Sequence, residues 1–508
     1  MQRLYKAIHG LMLALAVVSF SACEDRLEEP DENTVFSEDT DYTNSDNMLP
    51  VLIGAYEGFY TRGWENHLLI GVRGDDVNAA GDQVPLTETD LYRYDPNFWL
   101  YNSTWEGFYG DILNAHAAME ELSKYKEFAP NPALADQYIA EIRVMRAYML
   151  LQVARLWGDV YVPQSSEAIA LLEADVTSFE GVMQHISEQM DLAIPNLPTV
   201  HPNQRTDIRG GMTVYTAYAV KALANLEINN WQAVADATSE IIGSGEFSLE
   251  PDFYSLFKLN GKLNDENILE LQFSDFGQGE GDSFDHLYAP YGPSNWTPAV
   301  ESASGGWGFY EPSLEYIKFM LDRDESVRLE TSVLFTPAGI EELQADPAYS
   351  TLPDHVSSVT RDGDQINNNA RALFSSGKHY LPSNQLTPGR TRYGSNKNFQ
   401  CIRYAEMLLV HAEALVNGAN SSVMSADEAV NAVRNRAGFA TPLSGVTLDD
   451  VLNEKLAELG MEWGNRFYDM VRHGRGSELD ESDRTFDESD RFLPYPQNQV
   501  DQLPKLNQ

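Results

Sequence analysis

The chain has 508 residues, with 77 Asp and Glu against 35 Lys and Arg and a formal charge of -42. Its length allows one large core or two ordinary ones, and a hydrophobic content of 43% is that of a globular protein. A surface this negative repels phosphate backbones, which makes nucleic acid a poor partner and argues mildly against polyanionic ligands.

The first residues, MQRLYKAIHG, place Arg3 and Lys6 ahead of the apolar run LMLALAVVSF and the small residues Ser21 and Ala22. That order predicts a secretory signal over residues 1–22, too short for a comfortable membrane span of about 20 apolar residues. Phe20-Ser21-Ala22-Cys23 resembles a bacterial lipobox, with Phe20 where an aliphatic residue is usual. In such a motif the cysteine thiol is lipidated, so Cys23 is the expected lipid attachment site and the body is tethered to a membrane. Only Cys401 then remains, which leaves no intramolecular disulfide and suits a small buried residue. Glu24 and Asp25 resemble the acidic signal that sends some Gram-negative lipoproteins to the cell exterior.

Residues 23–47 are rich in Asp, Glu, Asn, Thr and Pro and read as a tether, with ordered structure starting near Met48. Apolar residues at helical spacing then predict helices over residues 105–125 and 134–157, and along Phe179, Val182, Ile186 and Met190. The pattern continues through Val214, Ala217, Tyr218 and Leu226, then Val234, Ile241 and Ile242. Near the end, residues 402–416, 426–437 and 448–463 read the same way. Between them, residues 244–398 are dense in Gly, Pro, Asn, Ser and aromatics and predict loops, short helices and a few short strands. The expected fold is therefore all-α: a helical region at 48–243, an irregular loop-rich region at 244–398 that would carry the ligand, and a second helical region at 399–508. Helix pairs of this spacing suggest stacked tetratricopeptide-like hairpins, though no clear repeat signature survives.

Several blocks resemble the SusD-like (SusD/RagB) family of lipoproteins. EIRVMRAYMLLQVARLWGDVYV carries Arg146, Ala147, Gly158 and Asp159 at family positions, and FQCIRYAEMLLVHAEAL carries Arg403, Tyr404, Ala405, Glu406, Ala412, Glu413 and Ala414. VRNRAGFATP, LNEKLAELGMEWGNRFYDMVRHG and RFLPYPQNQVDQLPKLNQ follow in order, with Lys455 where the family usually has Arg and Trp463 where it tends to have another residue. The resemblance implies a surface-exposed outer-membrane lipoprotein with four tetratricopeptide-like helix pairs. It also implies capture of nutrients, usually glycans, for a SusC-like TonB-dependent transporter as partner, with no cofactor. Glu458, Glu462, Arg466, Asp469 and Arg472 recur at spacings of three and four, so salt bridges on a helix and its turn suffice to explain them.

A sugar presents C-H faces that lie on aromatic planes and hydroxyls that need paired donors and acceptors, so candidates are loop aromatics beside polar residues. Trp157, Trp231 and Trp463 fall on helical patterns and read as packing. Trp99, in YRYDPNFWLYNSTW, lies in a polar loop ahead of a helix, with Asn102 as a hydrogen-bonding companion. Trp296, Tyr288 and Tyr291 come from DHLYAPYGPSNWTPAV and Trp307 from GGWGFYEPS. Arg73, Asp75 and Asp76 come from GVRGDDVNAAGD, where the family often carries an acid near its pocket. Asp362 and Asp364 resemble half of a calcium loop without the later Gly and Glu, which favours no metal. Arg390, Arg392 and Lys397 form a small basic island that reads as balancing nearby acids.

A helical glycoside hydrolase would need two placed carboxylates, which so acidic a chain offers everywhere. No G-x-S-x-G, H-E-x-x-H or phosphate-loop motif is found, and the resemblance implies binding without turnover. Peptide instead of glycan remains the alternative cargo, since an aromatic groove accepts either.

Overall fold

The computed structural model describes residues 40–61, 63–275, 277, 288–301, 304–389 and 396–507. Cys23, Glu24, Asp25 and the signal segment lie outside the described residues. Order begins ahead of Met48: a turn at Ser45–Asn47, capped by the Asn44 side chain, is anchored by the Tyr42 ring 4.8 Å from that of Tyr125.

Eleven principal helices can be named among the described residues: α1 Met48–Tyr60, α2 Trp64–Gly71, α3 Trp99–Phe128, α4 Pro132–Trp157, α5 Phe179–Ala193, α6 Val214–Glu227, α7 Trp231–Ser244, α8 Tyr404–Val416, α9 Ala426–Arg436, α10 Leu448–Leu459 and α11 Asn465–Arg472. Their ends follow local chemistry. Asn131 caps α4, accepting from the Leu134 N-H, with Pro132 at the first helical position, and the helix stops at Gly158 with φ +76°. Ser425 with Glu428 and Thr447 with Asp450 form reciprocal capping boxes at α9 and α10.

From α3 to α8 each helix packs on the next, and α8 in turn holds both α9 and α10. Four successive hairpins result, α3/α4, α5/α6, α7/α8 and α9/α10, a tetratricopeptide-like stack whose apolar seams are the expected helical stripes. Ile142, Leu151, Val153, Ala217, Val220, Val234, Ile241, Leu409 and Val410 are all fully buried along it. Burying such side chains contributes about 1.5–3 kcal/mol each for the larger ones, which is what holds the stack together.

Two predicted helices are shorter than their patterns. The segment Phe399–Arg403 is a strand, pairing antiparallel with Asn267–Leu271, so α8 begins only at Tyr404. These partners lie at the two ends of the long insertion, and their pairing clamps it to the scaffold. Cys401 is buried within this strand. Helix α10 ends at Leu459 because Gly460 is extended and Met461, Trp463 and Gly464 all take positive φ, a run incompatible with a right-handed helix. The insertion itself holds short helices and two-stranded antiparallel ribbons, among them Trp296–Thr297 with Gln365–Ile366 and Val333–Phe335 with Phe374–Ser376, and its strand Tyr310–Pro312 pairs antiparallel with Val77–Ala79 of the early chain.

The charged blocks of the sequence meet in the interior. Arg403 donates to Glu266 (2.6 Å), Glu458 (3.0 Å) and Glu462 (2.8 and 2.9 Å). Arg436 bonds Glu266 and Glu458, and Arg328 bonds Glu325, Glu454 and Glu458. Burial alone would raise the Glu458 carboxyl, but the guanidinium groups of Arg436, Arg403 and Arg328 hold it below the usual carboxylate range. The spacing of three and four in the sequence therefore misleads about partners. Arg472 does bond Asp469 three residues away, yet it also bonds Glu413, while Arg466 reaches Asp75 and Glu462 reaches Lys378. These pairs tie the insertion and the early loops to α10 and α11.

Candidate functional site

Two tryptophans at helix starts come together in space. Trp64 opens α2 after the extended Gly63, and Trp99 opens α3 after the extended Phe98. Trp99 is thus the first residue of a helix and not part of the loop ahead of it; at this position it escapes the buried stripe and stays 48% exposed. The Trp64 ring lies 6.0 Å from Trp99 at an interplanar angle of 65°, and 5.8 Å from Trp307 at 87°. Buried Phe309 supports the cluster, 5.8 Å from Trp64 and 5.5 Å from Trp307. Together they form an aromatic platform.

Trp307 is presented by a glycine-rich loop that lies flat on the turn at residues 288–294. Gly306 N-H donates to the Pro293 carbonyl (2.8 Å), Trp307 N-H to Ala289, Gly308 N-H to Gly292 (3.1 Å) and Phe309 N-H to Pro290 (2.8 Å). So close an approach excludes side chains: a Cβ at Gly306 would meet the Gly292 backbone at 2.5 Å. From the other direction Gly81, at φ +86°, brings its loop against the Phe309 ring, where a Cβ would stand 2.6 Å away.

Polar groups border the rings. Arg371 donates to the Trp307 carbonyl (2.8 Å) and to Asp82 (3.1 Å), with its guanidinium carbon 5.4 Å from the Phe309 ring centre. Glu65, next to Trp64, accepts from the Ser103 hydroxyl at 2.5 Å. Glu311, two residues beyond Phe309, accepts from the Leu373 and Phe374 N-H groups, and burial pushes its carboxyl up to about 7 despite them. The arrangement offers ring faces for apolar C-H surfaces and both donors and acceptors for hydroxyls. A separate cleft of about 340 Å³, lined by Asp322, Asp324, Tyr349, Leu352 and His355, lies on another part of the insertion.

The structure brings Trp99 and Trp307 together and sends the other sequence-derived candidates elsewhere. Asn102 is engaged from the C-terminal helix, its side-chain oxygen accepting from Gln499 at 2.9 Å. Trp296, expected on an open loop, is in a strand, only 9% exposed, with its ring at right angles to Tyr380. Tyr288 and Tyr291 are buried beneath the Trp307 loop: the Tyr288 hydroxyl donates to the Lys397 carbonyl (2.9 Å), and Tyr291 stacks on His379 at 3.9 Å and 12°. They brace the turn that carries the platform. Arg73 is fully buried, bonding Tyr468 and the Arg491 carbonyl under Phe467. Asp75 pairs with Arg466 at 2.7 Å. Asp76 is buried, accepts the Met461 N-H (2.7 Å), and is pushed up to about 6 by burial. These three join early loop to α11 and its approach.

Trp231 stacks on His473, Trp157 is buried at the end of α4 as its helical pattern requires, and Trp463 is buried in the positive-φ turn after α10, outside the helix its pattern predicted. Asp364 is a buried loop staple, accepting from the Ala299 and Ser383 N-H groups, and no cluster of metal-ligating side chains occurs among the described residues. Arg390 and Arg392 lie outside the described residues; Lys397 is buried, its ammonium on the Lys378 carbonyl. Trp64 is the residue that sequence reasoning missed. Its one local signal is a Trp directly after Gly at the start of an apolar helix, off the stripe that α2 buries.

Residues 265–484 match the family model described as the SusD family. Over those residues the chain is similar to the SusD family. A SusD-like protein of Bacteroides ovatus is 23% identical over 495 residues, covering 92% of this chain and 83% of the relative. SusD-like protein P25 of Formosa agariphila is 24% identical, covering 91% of this chain and 89% of its own. Among solved structures, surface glycan-binding protein A from Bacteroides thetaiotaomicron, in complex with laminarihexaose, superposes with a TM-score of 0.73 at 20% identity over 91% of this chain and 98% of that one. A laminarin-binding SusD-like protein gives 0.73 at 21% identity, over 90% and 98%. At these identities the structures establish the SusD-like fold, all-α and tetratricopeptide-like. Among the described residues no helix is long and apolar enough to cross a membrane.

Proposed function

We propose that this SusD-like chain is a surface glycan-binding lipoprotein that captures oligo- or polysaccharide without cleaving it and passes it to a SusC-like TonB-dependent outer-membrane transporter. The observation that carries the reading is the platform of Trp64, Trp99 and Trp307, three tryptophans from distant parts of the chain placed in ring contact with polar side chains at their border. Such a surface, unlike an enclosed pocket, accepts a polymer that continues past it in both directions. The glycan-binding names of the similar proteins support the reading. Lipidation at Cys23 would tether the body, and transport would belong to the partner.

The test is calorimetric titration of the full-length protein in detergent with a panel of polysaccharides, each polymer being sized afterwards. Heat that disappears in Trp99→Ala and Trp64→Ala, with polymer length unchanged, is the expected result. Shortened polymer would replace capture with hydrolysis, and silence across the panel would transfer the platform to peptides. Copurification with a transporter barrel from solubilised outer membrane tests the second half of the proposal.

A further inference from the structure

We infer that Asp82 and Arg371 are the specificity-determining pair of the aromatic platform and that they select neutral glycans over carboxylated or sulfated ones. The inference rests on the glycan reading above and deepens it.

Among the described residues, Arg371 is a cation seated at the cluster, against the Phe309 ring. It is held from three sides: the Trp307 carbonyl, the Asp82 carboxylate and the Phe309 ring. Its backbone N-H is fixed as well, donating to the Asn369 side chain at 2.8 Å. The Arg371 and Asp82 side chains nonetheless remain 39% and 63% exposed, so both reach solvent at the platform edge. A planar guanidinium beside a carboxylate supplies adjacent donors and acceptors, which is what neighbouring neutral hydroxyls require.

The charge balance decides what kind of glycan suits the pair. Asp82 already offsets the Arg371 charge. An incoming carboxylate or sulfate would find Arg371 occupied and face the Asp82 carboxylate, within the field of a chain whose formal charge is -42. Breaking the Asp82 contact to free Arg371 would leave Asp82 beside the new anion, a like-charge juxtaposition that disfavours the wrong ligand. Neutral saccharides meet none of these costs. An exposed ion pair of this kind adds little to folding, so its place at the rings is better explained by recognition. Gly81 is part of the device, since only a residue without Cβ lets the loop press on Phe309 and put Asp82 within reach of Arg371.

The test titrates full-length protein with neutral glycans (β-glucan, α-glucan, mannan and xylan oligosaccharides) and with acidic ones (oligogalacturonate and sulfated glucan), at low and high salt. At least one neutral glycan should bind with little salt dependence, and every acidic one at least about tenfold more weakly, the gap narrowing as salt screens it. Asp82→Asn should weaken neutral binding and strengthen acidic binding, shifting the ratio toward acid. An acidic glycan bound as tightly as the best neutral one, or a ratio unmoved by Asp82→Asn, would overturn the inference while leaving glycan capture intact. Absence of binding to either class would remove the glycan reading and this inference with it.

Discussion

Trp64 and Trp99 open two different helices, and their rings meet 6.0 Å apart at 65°. Trp99 is half exposed, so removing its ring takes ligand surface away with little loss of core, whereas Trp64 is partly buried and packs against the core. Trp99→Ala should weaken glycan binding by about tenfold or more, as expected for a central aromatic contact, and leave the melting temperature nearly unchanged. Trp64→Ala should cost at least as much, because both flanking rings rest on it. Calorimetric titration beside thermal unfolding of each variant checks both statements.

Trp296→Ala should show the opposite pattern. Its ring is packed against Tyr380 inside the insertion, so deletion leaves a cavity and costs about 3–5 kcal/mol of stability. Urea unfolding measures that loss, and titration of the folded variant should return near wild-type affinity.

Gly306→Ala tests the presentation of Trp307. The added methyl has no room against the Gly292 backbone, so the loop must lift and carry the indole away from Trp64. Affinity should fall at least severalfold, while far-ultraviolet circular dichroism, reporting the helical stack, stays unchanged.

Glu458→Gln addresses the charged interior. It removes the carboxylate shared by Arg403, Arg436 and Arg328 and leaves three buried cations undercompensated. Breaking a buried network of this sort costs about 3–5 kcal/mol, which urea unfolding at neutral pH would detect. Retention of full stability would mean that the remaining carboxylates of Glu266, Glu454 and Glu462 suffice.

His379 gives a pH dependence. Burial, with the Lys397 and Lys378 ammonium groups next in effect, pushes the imidazole pKa well below its ordinary 6.5. The native state therefore binds no proton there while the unfolded chain does, so this contribution is present above pH 6.5 and is lost as pH falls below it. The stability difference between wild type and His379→Gln should shrink on acidification below that point, by up to about 1.4 kcal/mol per pH unit. Unfolding of both proteins across a pH series isolates the effect, because the other titrating groups are common to the two.

Much of the scaffold was legible before folding was considered. The stripes along α3 to α7 were readable because a helix of 3.6 residues per turn repeats its environment over a few positions, and burial of one face leaves that period in the chain. The same local logic set aside Trp157 correctly, whereas Trp463 is buried in a turn past the end of α10 and not on the helix predicted for it. It failed where backbone conformation depends on a distant partner. Ile402 and Arg403 fall on the helical pattern that runs to Val416, yet they belong to the strand Phe399–Arg403 because Asn267–Leu271 is there to pair with it.

The candidate site was half legible for a related reason. Loop composition pointed to Trp99 and Trp296 ahead of Trp307, with Tyr288 and Tyr291 as companions. Polar, glycine-rich surroundings show that a segment turns, without showing which way its rings point. The sequence by itself determined the helical periods, the count of only two cysteines, the acidic surface and the lipobox-like start. Only the tertiary structure decided that Trp64 joins Trp99 and Trp307, that Arg371 is already matched by Asp82, and that Glu458 answers three arginines. Each of these joins residues far apart in the chain, and such distances are set by packing of whole elements, which no local pattern records.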